Sequence, residues 1–281
     1  MRKNPKQFTW SLLCLLIFLG SCNGKNSTEN TDIITDSVKI ETVIPLKNDT
    51  NSAACRVTLN FTYAEKTSNP ALKDSINRNL LRDLLGYGYE NMPVKQALDS
   101  FKTDYIKNYK DEMTQLLEGE SEFSFDENSG IFNYSKDLKC RMIYNANDII
   151  TFRADVYEYT GGAHGLSNSF LFNFDVKNGQ RIRLNDIFTK NYEEKLDEML
   201  IQQLLKDNEV SDIKELEELG YFVTSPIFPT DNFYFDDKNI IFLYNPYEIA
   251  PYAMGSTEIK LPIKELTFLM KEKKPISKLL N

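Results

Sequence analysis

LKCRMIYNANDIITFRADVYEYT, residues 138–160, decides the fold. Apolar and polar side chains alternate through it with a period of two, broken once by the polar stretch Asn145–Asp148. That period belongs to a half-buried strand, and a polar break between two such runs predicts an antiparallel hairpin. Reading outward, SNSFLFNFDV (167–176) supplies a further strand. It ends in Asp175-Val176-Lys177-Asn178-Gly179-Gln180, an Asn-Gly hairpin signal. EFSFDE (122–127) reads as another strand of the same antiparallel run. Ser37–Leu46 and Cys55–Tyr63 also alternate, with a turn-rich KNDTNSA between them.

Between these runs the period changes. Leu72, Ile76, Leu80, Leu81, Leu84 and Leu85 recur at helical spacing, with Asn69-Pro70 as the start and Gly86 as the stop. A second helix is expected over Pro93–Leu117, with Val94, Ala97, Leu98, Phe101, Tyr105, Ile106, Tyr109, Met113 and Leu116 on one side. Downstream come a helical turn at Leu184–Phe188, helices at Tyr192–Asn208 and Asp212–Leu219, a hairpin in NFYFDDKNIIFLYNP, a strand in STEIKLP and a closing helix in IKELTFL. Helices are grouped and strands are hairpin-linked, which predicts an α+β protein with mainly antiparallel sheets. Two intimately packed subdomains are expected, 37–160 and 161–281, with Gly161-Gly162-Ala163-His164-Gly165 as the joint.

The first 22 residues read as a targeting segment. Arg2, Lys3 and Lys6 precede a short apolar run, FTWSLLCLLIFLG, that ends in Leu19-Gly20-Ser21-Cys22. This resembles a bacterial lipobox, which implies cleavage after residue 21 and lipid on Cys22. A polar tether (22–36) would then hold the folded part off a membrane, outside the cytoplasm. Only about seven residues precede the apolar run, so no segment inside the cell is expected to hold a regulatory partner.

Loss of residues 1–21 removes three basic residues and no acidic ones. It takes the net charge from −8 to −11, with 30 basic against 41 acidic residues left. That balance argues against nucleic acid and favours a basic partner. Cys55 and Cys140 would be the two thiols left beyond the anchor. The reading is open between a disulfide and two buried thiols. Two cysteines and one histidine cannot make a four-ligand zinc site without carboxylates, so no metal or other cofactor is expected.

Two stretches stand out as surface candidates. Tyr157–Gly165 (YEYTGGAHG) carries Tyr157, Tyr159 and the only histidine, His164. The ring could satisfy backbone groups in a turn, touch a ligand, or act as a general base. No G-x-S-x-G or comparable signature accompanies it, so no catalytic residue is assigned. The second is the Tyr- and Pro-rich run Tyr244–Gly255, with Tyr244, Tyr247 and Tyr252. Prolines keep this run out of a ladder, and tyrosines on a stiff loop make contact surface at low entropic cost.

The run YTGGAHG…FNFDVKNGQRIRLNDIF, together with FYFDDKNIIFLYNPYEIAPYAMGSTEIKLP, resembles a bacterial domain of unknown function. That domain forms the C-terminal half of the extracytoplasmic region of the anti-sigma-V factor. The strand-strand-helix start, Val38 to about Tyr159, resembles its usual companion, also found in the accessory region of a Bacillus peptidoglycan deacetylase. The resemblance implies a sensing or binding module, with lysozyme or a cell-wall glycan as the ligand to try. It implies no direct sigma-factor contact and carries over no catalytic residue. The rival expectations are a hydrolase of envelope polymers using His164 as base, and a purely structural surface lipoprotein.

Overall fold

A computed structural model describes residues 32–47, 52–118, 130–222, 227–273 and 275–280. The apolar leader, Cys22, most of the tether and EFSFDE lie outside these residues.

The first sheet contains β1 (Ile34–Pro45), β2 (Ala54–Lys66), β3 (Tyr134–Ala146), β4 (Ile149–Thr160), β5 (Leu166–Asp175) and β6 (Arg181–Ile182), side by side in chain order. Every neighbouring pair is antiparallel except β2–β3, which is parallel. The chain reaches β3 through α1 (Pro70–Leu85) and α2 (Val94–Glu118), and parallel neighbours need a crossover of this kind. Periodicity gave the faces of these strands but not this pairing.

Helix α1 forms where its punctuation places it. The Asn69 side chain accepts from the Leu72 amide, Pro70 opens the first turn, and Gly86 ends the helix at φ 104°. Its stripe Leu72, Ile76, Leu80 and Leu81 packs with Ala97, Leu98 and Tyr109 of α2 onto one face of the sheet. That face is built from Val57, Leu59, Phe61, Leu138, Phe152, Phe172 and Phe174. The expected α2 stripe stops one turn early, because Leu116 points to solvent.

The Asn-Gly turn between β5 and β6 is also the seat of α1. Asn69 Nδ2 donates to the carbonyls of Val176 and Lys177, at 3.2 and 3.1 Å. Gly179 has φ 70°, and a Cβ there would lie 3.0 Å from the Leu72 Cα. Both the dihedral and the close approach demand glycine. Gly179→Ala should lower the unfolding free energy by about 1–3 kcal/mol. An unchanged denaturation midpoint would mean that the start of α1 gives way freely.

The other face of the sheet receives the rest of the chain: α3 (Leu184–Ile187), α4 (Glu193–Asp207), α5 (Ile213–Glu218), β7 (Phe233–Phe235), β8 (Asn239–Tyr244), β9 (Thr257–Pro262) and α6 (Ile263–Leu266). β7, β8 and β9 make a second, antiparallel sheet. Its core joins Leu196, Leu200, Leu204, Phe233, Phe242 and Ile259 to Ile149 and Ile182 of the first sheet. The expected boundary at residue 160 falls between two paired strands. Glu158 pairs with Leu166, so GGAHG closes a hairpin inside one sheet rather than joining two halves.

The layers are also joined by asparagines. Asn232 Oδ1 accepts from the Leu171 amide, and Asn232 Nδ2 donates to the carbonyls of Ser169 and Leu243. Asn245 likewise brackets Ser169, accepting from its amide at 2.7 Å and donating to its carbonyl at 3.2 Å. Asn173, 1% exposed, accepts from the Thr151 hydroxyl and donates to the Phe233 carbonyl. Side chains thus satisfy the edge of β5 that short β6 leaves open.

Cys55 and Cys140 are free and buried, which corrects the disulfide alternative. They sit on the parallel strands β2 and β3, but Cys55 lies opposite Tyr134 and Cys140 opposite Phe61. Six strand positions, roughly 20 Å, separate them, far beyond disulfide reach. Burial pushes both thiols up, Cys55 to about 11.

Candidate functional site

The site begins where β4 runs out. Gly161 and Gly162, both at φ 92°, turn the chain back toward β5. Tyr159 braces the turn by donating its hydroxyl to the Gly162 carbonyl at 2.9 Å. Tyr157 packs against Gly165, where an added Cβ would come within 2.5 Å of its ring. His164 is left on the outside, exposed.

Its ring is nonetheless held. Nδ1 lies 3.0 Å from the Gly165 carbonyl, an acceptor only, so Nδ1 carries the proton and donates. Nε2 is then free to accept from the Tyr247 hydroxyl, 3.4 Å away. The imidazole stacks on Tyr252 with centroids 4.2 Å apart and planes 16° apart, and Tyr252 stacks in turn on Tyr247 at 5.9 Å. Three of the six residues singled out in the sequence, from two distant segments, thus form one aromatic face. Tyr157 and Tyr159 shape the loop beneath it.

Tyr244 does not join them. It is 3% exposed and donates its hydroxyl to the Phe228 carbonyl, and burial pushes its pKa up. It is the last residue of β8 rather than part of the loop. The Tyr-Pro loop proper is stiff. Asn245 is bonded to β5, its amide donates to the Glu248 carboxylate, and Ile249 and Ala250 are buried. Tyr247 sits at φ 72°, with its amide donating to the Ala250 carbonyl at 2.8 Å. A left-handed tyrosine is strained by about 1–3 kcal/mol, and the residue is 54% exposed.

The surroundings are apolar and acidic. Gly220, just past α5, lies against Met254 and Pro251, and the Phe222 amide donates to the Ile249 carbonyl. This sets the stretch with exposed Leu219 and Phe222 beside the Tyr-Pro loop with its exposed Met254. Glu217, Glu218 and Glu248 on these two stretches are also exposed, Glu218 pairing with Lys214 at 3.9 Å. Leu219 and Phe222 carry no distinguishing signal in the sequence, because only tertiary packing puts them here.

On its other side His164 lines a cleft of about 400 Å³ with Lys136, Glu158, Asn168, Phe170 and Asp83. Lys136 pairs with Glu158 at 3.0 Å. Neither ring nitrogen of His164 is bonded to a serine hydroxyl or a carboxylate among the described residues, so a base-and-orienting-acid arrangement is not formed. Among the described residues no three metal-binding side chains come together.

Behind the face a charged clasp ties the sheets together. Arg153 donates to Asp155 at 2.7 Å and to Glu258 of β9 at 3.2 Å, and Arg141 also donates to Asp155. Ser169 donates to Asp155 at 2.7 Å. Burial alone would raise the Asp155 pKa, but these donors outweigh it and hold the group at about 2. A depressed carboxyl stabilises the fold above its ordinary value near 3.8, and that stabilisation is lost as pH falls toward 2. Asp155→Asn should therefore flatten the acid limb of stability against pH between about 4 and 2. An identical limb would show the clasp to be idle.

Residues 185–264 match the family described as a protein of unknown function, DUF3298, and residues 48–167 match the family described as deacetylase PdaC. No curated protein matches the chain. The crystal structure of a DUF3298 member from Bacteroides fragilis is 33% identical, covering 89% of this chain and 98% of that one, with a TM-score of 0.83. A DUF3298 family protein from Pseudomonas aeruginosa is 17% identical, over 88% of this chain and 97% of its own, at a TM-score of 0.61, a likeness of fold.

Proposed function

This chain belongs to the DUF3298 family, and from that premise we propose that it is a lipid-anchored extracytoplasmic module that binds a basic envelope-associated protein through the His164–Tyr252–Tyr247 face. Lysozyme is the first partner to try. The observation that carries this reading is Tyr247, a strained tyrosine displayed on an otherwise braced loop. Strain kept in a sparsely populated conformation is a recurrent property of recognition sites. The apolar neighbours and surrounding carboxylates support a protein partner of opposite charge. Lipid on Cys22 would fix the module to a bacterial membrane.

Titration calorimetry at low salt tests the reading. Lysozyme should give a saturable heat that weakens as salt rises. Heat with peptidoglycan fragments alone would move the reading to a glycan ligand. No heat with either would remove the lysozyme reading.

A further inference from the structure

β1 is the outer strand of the first sheet, twelve residues long, and among the described residues no strand pairs with its free side. Such edges are usually blunted. Here the backbone groups are blocked only at the ends, and the charges Lys39 and Glu41 stand between them. The Ser37 amide is taken by the Asp36 carboxylate at 2.7 Å, Pro45 has no N–H, and the one register shift lies at Ile34/Thr35. In an antiparallel strand alternate residues direct their backbone groups the same way, so Lys39, Glu41 and Val43 present theirs on the open side with Ser37. Val38 and Ile40 pack only partly against the core.

We propose that β1 pairs antiparallel with β1 of a second copy, about a two-fold axis at Ile40. In that register Lys39 lies opposite Glu41 of the second copy, and Glu41 opposite its Lys39. Two opposite-charge pairs form by symmetry, as an isologous interface requires. Centring the axis on Lys39 or on Glu41 would instead set like charges face to face, so charge selects this register. Within one strand Lys39 and Glu41 already touch, at 2.9 Å, on the solvent face with about six-tenths of each side chain exposed. Exchanging partners needs only rotamer changes. Pairing also covers the partly exposed edges of Val38 and Ile40, and it joins two six-stranded sheets into one.

Analytical ultracentrifugation of the purified protein tests this, over a concentration series. The native chain should self-associate. Glu41→Lys and Lys39→Glu, each alone, should weaken association at least ~10-fold, because two attractive pairs become repulsive. The double variant Lys39→Glu/Glu41→Lys should restore it, because symmetry again sets opposite charges across the axis. Mixing Lys39→Cys with Glu41→Cys protein should give a disulfide that neither gives alone, since directly opposed residues lie within bonding range. A chain that stays monomeric and gives no mixed disulfide would overturn the proposal. So would single reversals without effect, or a double variant that fails to recover.

Discussion

Asn173→Ala should lower the unfolding free energy by about 4 kcal/mol, read from chemical denaturation at neutral pH. The side chain is 1% exposed and ties β4 to β7 through the Thr151 hydroxyl and the Phe233 carbonyl. Thr151 is itself fully buried, so water cannot readily replace the lost partner. Each orphaned polar group costs roughly 1–3 kcal/mol, and the vacated volume adds a cavity term. Asn173→Asp tests the same point with the volume kept. It retains the acceptor toward Thr151 but sets an oxygen against the Phe233 carbonyl, and it should be no better tolerated. A loss below about 1 kcal/mol in the alanine variant would mean that the layers are held by their apolar core alone.

Tyr247→Asn should act in two directions at once. Asparagine tolerates the left-handed backbone that tyrosine occupies at φ 72°, so stability should rise by about 1 kcal/mol. The half-exposed ring gives up little packing in exchange. Affinity for lysozyme, measured by the same calorimetry, should fall at least ~30-fold, as expected for a lost aromatic anchor. The opposed signs separate a recognition residue from a structural one. If stability and affinity fall together, Tyr247 is a plug for the end of the sheet.

Much of the fold was legible because it rests on local physics. The alternation at 138–160, the Pro70 start and the Gly86 stop each depend on near neighbours, and β3, β4 and α1 lie where they place them. What escaped depends on distant ones. Alternation says which face a side chain takes but not which strand lies alongside, so the parallel β2–β3 pair was invisible. β6 is two residues long and has no period to detect. Tyr244 read as part of the Tyr-Pro loop. It closes a strand buried on both faces, whose run Ile240–Tyr244 shows no polar alternation. The aromatic face was half legible. Composition pointed to His164, Tyr247 and Tyr252 separately, and only the β4–β5 hairpin and the asparagine-held loop bring them into one stack.

The asparagine seam has a consequence for motion. The amides of Ser169 and Leu171 are protected by side chains of the other layer rather than by a neighbouring strand. If the layers part while each sheet stays folded, these two protons meet solvent and the ladder amides of β4 do not. In native-state hydrogen exchange Ser169 and Leu171 should then exchange at a free energy below that of global unfolding, as markers of a partly open state. Because Asn245 also anchors the Tyr-Pro loop, the same opening would dismantle the aromatic face. The proposed recognition surface would then come and go with layer separation, without any need to unfold the protein.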